Sequence, residues 1–143
     1  MNTKLIRNWM TPNPIIITSQ TTLLEARQLM EKYYIRRLPV SKRGILVGIV
    51  TRGDIREAQA SCVSGLSVSE LNHVMDRLTA EEFMAYQPIA IAPDATMEEA
   101  ARLMLRHKIG GLPVVENGEL VGMITETDIC RLLIEQPEQV EGV

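Results

Sequence analysis

Aromatic side chains are scarce in this 143-residue chain, at 3%: one Trp, three Tyr and one Phe, against eight Met. A core built from it is therefore aliphatic and filled with methionine, and a ligand that needs an aromatic stacking platform is a poor fit. Cysteine is equally thin. Cys62 and Cys130 make no disulfide framework, and read as reduced thiols of a cytosolic protein. A basic excess is missing too, since the net charge is −3. The small clusters Lys32/Arg36/Arg37 and Lys42/Arg43 cannot track a phosphate backbone, so a nucleic-acid polymer is not expected as partner. Nowhere do about 18 apolar residues follow one another, so no membrane span is expected. Met1-Asn2-Thr3-Lys4-Leu5 opens no signal-peptide pattern, so none is expected either. What is present is a 45% hydrophobic share, ordinary for a globular protein of one domain or two small ones.

The organising feature is an internal repeat with an offset of 74 positions, on which Met10 falls on Met84. Pro14-Ile15-Ile16-Ile17 meets Pro88-Ile89-Ala90-Ile91, Leu38-Pro39-Val40 meets Leu112-Pro113-Val114, and Leu46-Val47-Gly48 meets Leu120-Val121-Gly122. Thr51, Asp54 and Ile55 meet Thr125, Asp128 and Ile129. Roughly 20 of about 49 positions are identical without a gap, which marks duplication. A unit of about 50–60 residues is marginal alone, so the copies are expected to be stable as a pair.

Each copy reads as β-α-β-β-α, an α/β (α+β) class. Ile15–Thr18 predicts a short buried strand. Thr22 with Glu25, and Thr96 with Glu99, predict capping boxes that open a helix whose apolar face carries Leu23, Ala26, Leu29, Met30 and Tyr33. Strands are expected at Leu38–Ser41 and Leu46–Thr51, joined by hairpin turns at Lys42-Arg43-Gly44 and, in the second copy, Glu116-Asn117-Gly118. A second helix follows Thr51 and Thr125. Between the copies, Ser61–Ser67 reads as a loop, and Ser67/Glu70 and Thr79/Glu82 as capping boxes around a helix at about Glu70–Leu78. The resulting division is 5–60 for the first repeat, 61–82 for a helical linker, 83–136 for the second repeat and 137–143 for a polar tail.

The pair Gly48-Ile-Val-Thr51-Arg-Gly-Asp54 and Gly122-Met-Ile-Thr125-Glu-Thr-Asp128 carries the chemistry. Each sets a hydroxyl and a carboxylate at a strand-to-helix junction, where free helix N–H groups also point. A carboxylate can accept two hydrogen bonds from a vicinal diol such as a ribose, and Arg52 with the helix start can hold a phosphate. The competing reading is plain capping. The four other boxes all use Glu, whereas both junctions use the shorter Asp, which points to a task shared beyond capping.

The doubled unit, the Leu-Pro-Val strand and the Gly-x-x-Thr-x-x-Asp junction resemble a tandem pair of cystathionine-β-synthase (CBS) domains, a Bateman module, over about Leu5 to Gln136. The resemblance implies two domains packed through their sheets with pseudo-two-fold symmetry. It implies two clefts for an adenosine-type ligand (AMP, ADP, ATP or S-adenosylmethionine), with the junction Asp on the ribose. One site would join Thr125 and Asp128 to Asn13, Ile15 and Pro39; the other would join Thr51, Arg52 and Asp54 to Gln87, Ile89 and Pro113. Basic residues before Leu-Pro-Val, here Arg36 and Arg37, would contact phosphate. Gly110-Gly111 stand in their place in the second copy, so unequal sites are expected. The resemblance further implies a regulatory rather than catalytic protein, a flat homodimer formed through helices, and output to a separate partner; the alternative is an interaction module with vestigial clefts. No appended enzyme, channel or DNA-binding domain is read in the chain.

Other residues carry less. His73 and His107 lack metal-ligand spacing. Cys62, read in a loop, and Cys130, read in the last helix, have no neighbouring His for nucleophilic catalysis. Trp9 and the methionines read as ordinary packing. The Glu81/Glu82 and Glu98/Glu99 pairs suit helix starts.

Overall fold

The computed structural model describes residues 4–62 and 65–135. The expected loop at Val63 and Ser64 and the polar tail lie outside the described residues. The chain divides into two compact units, one of residues 15–88 and one combining the residues up to 14 with those from 89 onward. They are called the middle unit and the split unit below.

In the middle unit, α1 (Leu23–Tyr33) leads to β2 (Arg37–Lys42) and β3 (Ile45–Thr51), then to α2 (Arg52–Cys62), α3 (Val68–Met75), α4 (Ala80–Phe83) and β4 (Ala85–Tyr86). Strand β3 is central, antiparallel to both β2 and β4. The split unit holds a short 3-10 turn (Ile6–Asn8), β1 (Thr11–Pro12), α5 (Met97–His107), β5 (Gly111–Glu116), β6 (Glu119–Thr125) and α6 (Glu126–Glu135), with β6 antiparallel to β1 and β5. Each unit has its own aliphatic and methionine core. Leu23, Ala26, Met30, Leu38, Val40, Val50, Ile55 and Met75 fill one; Ile6, Met97, Ala100, Met104, Leu112, Val114 and Ile124 fill the other.

The repeat governs local geometry to the level of single dihedrals. The six non-glycine residues with positive φ among those described fall into three pairs at the repeat offset: Asn13 and Gln87, Tyr34 and Lys108, Arg43 and Asn117. Tyr34 and Lys108 are the left-handed C-caps of α1 and α5. Arg43-Gly44 and Asn117-Gly118 have both central φ values positive, which makes the two-residue hairpin loops type I′.

The capping boxes at Thr22/Glu25 and Ser67/Glu70 are reciprocal, as expected. The box at Thr79/Glu82 is present too, with Thr79 N–H donating to Glu82 Oε2 at 2.8 Å, whereas at Thr96/Glu99 only one half forms, Glu99 N–H donating to Thr96 Oγ1 at 3.1 Å.

Three expectations need correction. The strand at Ile15–Thr18 reduces to a single parallel bridge of Ile17 with Val40, repeated by Ile91 with Val114. Ile17 N–H donates to Pro39 O and Ser41 N–H to Ile17 O. The chain then turns, with Thr18 N–H donating to Thr21 Oγ1, before a second pairing can form. The helix expected at Glu70–Leu78 is α3, which ends at Met75; a turn intervenes before α4. Ser61 and Cys62 are the last residues of α2 rather than loop.

Sequence repeat and packing unit do not share boundaries. Ile6 N–H donates to Ala95 O and Arg7 N–H to Pro93 O. Shifted by the repeat offset, these are the bonds from Ala80 N–H to Thr21 O and from Glu81 N–H to Ser19 O. Residues 5–12 therefore do in the split unit what residues 79–86 do in the middle unit. The segment before the first repeat's helix serves the second repeat, and the end of the linker serves the first. Arg7 fixes this placement: its guanidinium donates to Asp94 at 2.6 Å and to Glu116 at 3.4 Å, and Asp94, then Glu116, raise its pKa.

Candidate ligand-binding site

At each junction a strand runs directly into a helix: β3 ends at Thr51 and α2 begins at Arg52; β6 ends at Thr125 and α6 begins at Glu126. Four backbone N–H groups at such a helix start have no intrahelical partner. Thr51 N–H donates to Asp54 Oδ2 at 2.8 Å and Asp54 N–H to Thr51 Oγ1 at 3.1 Å. Thr125 N–H donates to Asp128 Oδ2 at 2.8 Å. Both aspartates therefore do cap, and both do so through Oδ2 alone.

The second oxygen separates the two junctions. Among the described residues Asp54 Oδ1 accepts no hydrogen bond, and Asp54 lines a cleft of about 440 Å³ with Glu57, Ala58, Leu78, Phe83 and Met84. Asp128 is buried, and its Oδ1 accepts from Arg131 Nη1 at 3.0 Å. The Arg131 guanidinium lies 5.4 Å from the centre of the Trp9 ring, a cation–π contact. At the repeat offset the middle unit has Glu57 in place of Arg131. The two junctions thus differ in a way the sequence does not announce.

The glycine of the motif has a task of its own. A Cβ on Gly48 would stand 2.5 Å from Met84 Sδ and 3.0 Å from Ala85 O; one on Gly122 would stand 2.6 Å from Met10 Sδ and 2.9 Å from Thr11 O. Met10 and Met84, on which the repeat aligns, cover these glycines so that β1 and β4 can pair with β6 and β3.

Within the middle unit the structure gathers Thr51, Arg52, Asp54, Arg36 and Arg37. Arg52 N–H donates to Arg36 O at 2.9 Å, and Arg37 stands opposite Thr51 in the β2–β3 ladder. Arg36 lines a cleft with Arg52, and Arg37 is not among its lining residues. Gln87 follows β4, which pairs with β3. Within the split unit, Asn13 N–H donates to Val121 O at 3.4 Å, on the strand β6 that ends at Thr125. Asn13 and Gln87 share left-handed backbone, uncommon outside glycine, directly before a proline. Ile15 and Ile89 are half-buried. Pro39 stands opposite Ile49 in the β2–β3 ladder and Pro113 opposite Met123 in the β5–β6 ladder. Their side chains are fully buried, and their carbonyls accept from Ile17 and Ile91 N–H.

Sequence reasoning missed the methionines over the glycines, the Arg131–Trp9 contact, and Arg27 and Arg56 beside Arg36 and Arg52. Only the last had a signal in the sequence, since Arg52 and Arg56 are one helical turn apart. Cys62 Sγ donates to Ala58 O, and Cys130 is exposed on α6. Among the described residues no group of three or more His, Cys, Asp or Glu could hold a metal ion, and no helix is long and apolar enough to cross a membrane.

Comparison with known proteins fits this geometry. An inosine-5'-monophosphate dehydrogenase of Korarchaeum cryptofilum is 36% identical over 116 residues, 80% of this chain and 21% of that enzyme. One of Staphylococcus aureus is 32% identical over 133 residues, 91% of this chain and 24% of the enzyme. The chain thus spans about a quarter or less of these relatives' length. Among solved structures, a candidate acetoin utilization protein (AcuB) of Vibrio cholerae superposes with a TM-score of 0.79 at 33% identity, covering 97% of this chain and 96% of that one. The CBS domain pair of protein MJ0100, solved with 5-methylthioadenosine and S-adenosyl-L-methionine, superposes at 0.76 with 30% identity, covering 90% and 98%. CBSX2 in complex with AMP superposes at 0.77 with 25% identity, covering 92% and 97%. The CBS-domain profile matches residues 6–61 and 80–135, and the chain belongs to the CBS-domain family as a tandem pair.

Proposed function

We propose that this chain is a regulatory module that binds an adenosine-type ligand, AMP, ADP, ATP or S-adenosylmethionine, and passes its occupancy to a separate protein partner in the cytoplasm without transforming the ligand. The observation that carries the reading is the pair of Thr-x-x-Asp junctions. Each aspartate spends one oxygen on its helix, and Asp54 keeps the other for a ribose hydroxyl. The ligands bound by MJ0100 and CBSX2 support the choice of ligand class. Asp54 takes the first ligand, because a ribose at Asp128 must displace Arg131. A ligand shifts the module only by its differential affinity for two states. Calorimetric titration of the native chain with the four ligands tests the reading. It expects saturable binding of at least one, with one site per chain filled first. No heat from any of them at millimolar concentration contradicts it and favours the interaction-module reading, to which the occupied Asp128 lends some support.

The module acts as a homodimer in this reading. Leu105 on α5 and Leu133 and Ile134 on α6 are 80%, 71% and 81% exposed, on two helices that pack against each other. Single exposed apolar side chains are ordinary, but three on one pair of helices fit a docking face. The double variant Leu105→Asp/Leu133→Asp is expected to sediment as a monomer where the native chain sediments as a dimer. A native chain that is already monomeric at tens of micromolar would refute this part.

A further inference from the structure

Asp128 and Trp9 stand at opposite ends of the chain and meet through one side chain. The Arg131 guanidinium donates through Nη1 to Asp128 Oδ1 at 3.0 Å and lies 5.4 Å from the centre of the Trp9 ring. Its Nε is 3.5 Å from Glu135 Oε2, one turn further along α6. The Asp128 side chain is 6% exposed and that of Arg131 47%. Removing the partner of a buried carboxylate is strongly destabilising, whereas the arginine has water and Glu135 to turn to. The pair therefore opens by exchange: Arg131 leaves when other donors take Oδ1.

Helix α6 does not need this arginine. The middle unit makes the same cap, Thr51 N–H donating to Asp54 Oδ2 at 2.8 Å, with Glu57 and Phe83 at the places of Arg131 and Trp9. A carboxylate at Glu57 repels Asp54 and cannot tie it down. There Asp54, Glu57, Phe83 and Met84 line the cleft of about 440 Å³. At the repeat offset the same four positions in the split unit are Asp128, Arg131, Trp9 and Met10. The arginine joins carboxylate to indole where the middle unit keeps a cleft.

Trp9 is also tied to the rest of the junction. It packs on the core of the split unit, and its neighbour Met10 covers Gly122 of the same motif. Residues 5–12 thus meet the motif twice, at its glycine through Met10 and at its aspartate through Trp9 and Arg131.

We infer that Arg131 is a latch and Trp9 its positioning residue. Trp9 holds the guanidinium on Asp128 and keeps this junction closed. Any group that takes Asp128 Oδ1 pulls the latch off Trp9, so occupancy is read at the N-terminal segment. That a ribose is such a group rests on the function proposed above; the latch itself does not.

Trp9 is the single tryptophan of the chain, so its fluorescence reads the latch directly. Without ligand, Asp128→Asn and Arg131→Met are each expected to move the emission to longer wavelength, as water reaches the ring face that the guanidinium covered. The two changes together move it no further than Arg131→Met alone, because they break one contact. Melting curves establish that the variants are folded. AMP is the ligand probe, titrated calorimetrically into the full chain. Filling of a second site per chain is expected to shift the native emission as Arg131→Met does. Trp9→Leu strengthens that second event by about two- to fivefold, the worth of one cation–π contact, and has no effect on it in the Arg131→Met background. A role of Trp9 in packing alone would act equally in both backgrounds. Native emission in folded Asp128→Asn, a second AMP bound without a change in emission, or equal effects of Trp9→Leu in the two backgrounds overturns the latch. No AMP binding at all, with the ligand-free shifts present, sustains the latch and is a failure of the ribose reading alone.

Discussion

Asp54→Ala is expected to weaken binding of the adenosine-type ligand by about 10- to 100-fold. A hydrogen bond to a charged group contributes about 1.5–3 kcal/mol, and each 1.4 kcal/mol is a factor of about ten. The same change also removes the reciprocal bond between Asp54 Oδ2 and Thr51 N–H, so some stability is lost with it, about 1 kcal/mol for a helix cap. Asp54→Asn separates the two effects. The amide keeps an oxygen for Thr51 N–H and loses the charge, so stability is largely kept while affinity falls. Asp128→Ala is expected to matter less to the first binding event, because Arg131 already occupies its Oδ1. Arg131→Ala, which frees that oxygen, is expected to strengthen the second event. If Asp54→Ala and Asp54→Asn both bound the ligand as the native chain does, the aspartate would be a cap and nothing more.

The largest stability effect is expected at the glycines of the same motif. Gly122→Val places its Cβ 2.9 Å from the Thr11 carbonyl and 2.6 Å from Met10 Sδ, and Gly48→Val meets Ala85 O and Met84 Sδ in the same way. A methionine can bend aside, but a strand carbonyl held in the sheet cannot, so β1 or β4 must lift. Overpacking of this kind costs about 1–3 kcal/mol for a methyl, and the two further methyls of valine add to it. The expected readout is a urea midpoint lowered by a large part of the protein's total stability. Gly53 is the control. A Cβ there meets only Thr51 Oγ1, at 3.7 Å, so Gly53→Ala is expected to be neutral or to stabilise α2. A native midpoint in Gly122→Val would show that the close approach of β1 to β6 does not hold the split unit together.

These two predictions rest on residues that were legible to different degrees. Thr51, Asp54, Thr125 and Asp128 stood out because they recur at one offset and break the Glu pattern of the other boxes. The hairpins and the helix starts were legible because their chemistry is local: positive φ at Arg43-Gly44, and hydroxyls three residues before a carboxylate. The exchange of the N-terminal segment was not legible. Residues 5–9 share no identity with 79–83, and their equivalence lies in backbone bonds to Ala95, Pro93, Thr21 and Ser19 that side chains do not encode. The Ile15–Ile17 run has strand composition but pairs at one residue only, because a sharp turn follows at once. The arginine cleft draws from α1, from the link to β2 and from α2, and residues that far apart converge only in the folded unit.

The account's central claim is that the junction aspartates are ribose acceptors as well as caps. The direct measurement is a crystal structure of the chain grown with AMP. The account predicts the ribose hydroxyls within hydrogen-bond distance of Asp54, with Thr51 N–H still held by Oδ2 and the Arg131–Asp128 pair either intact or opened by a second AMP. AMP bound elsewhere, with both aspartates engaged only with their own helices and Arg131, would contradict it.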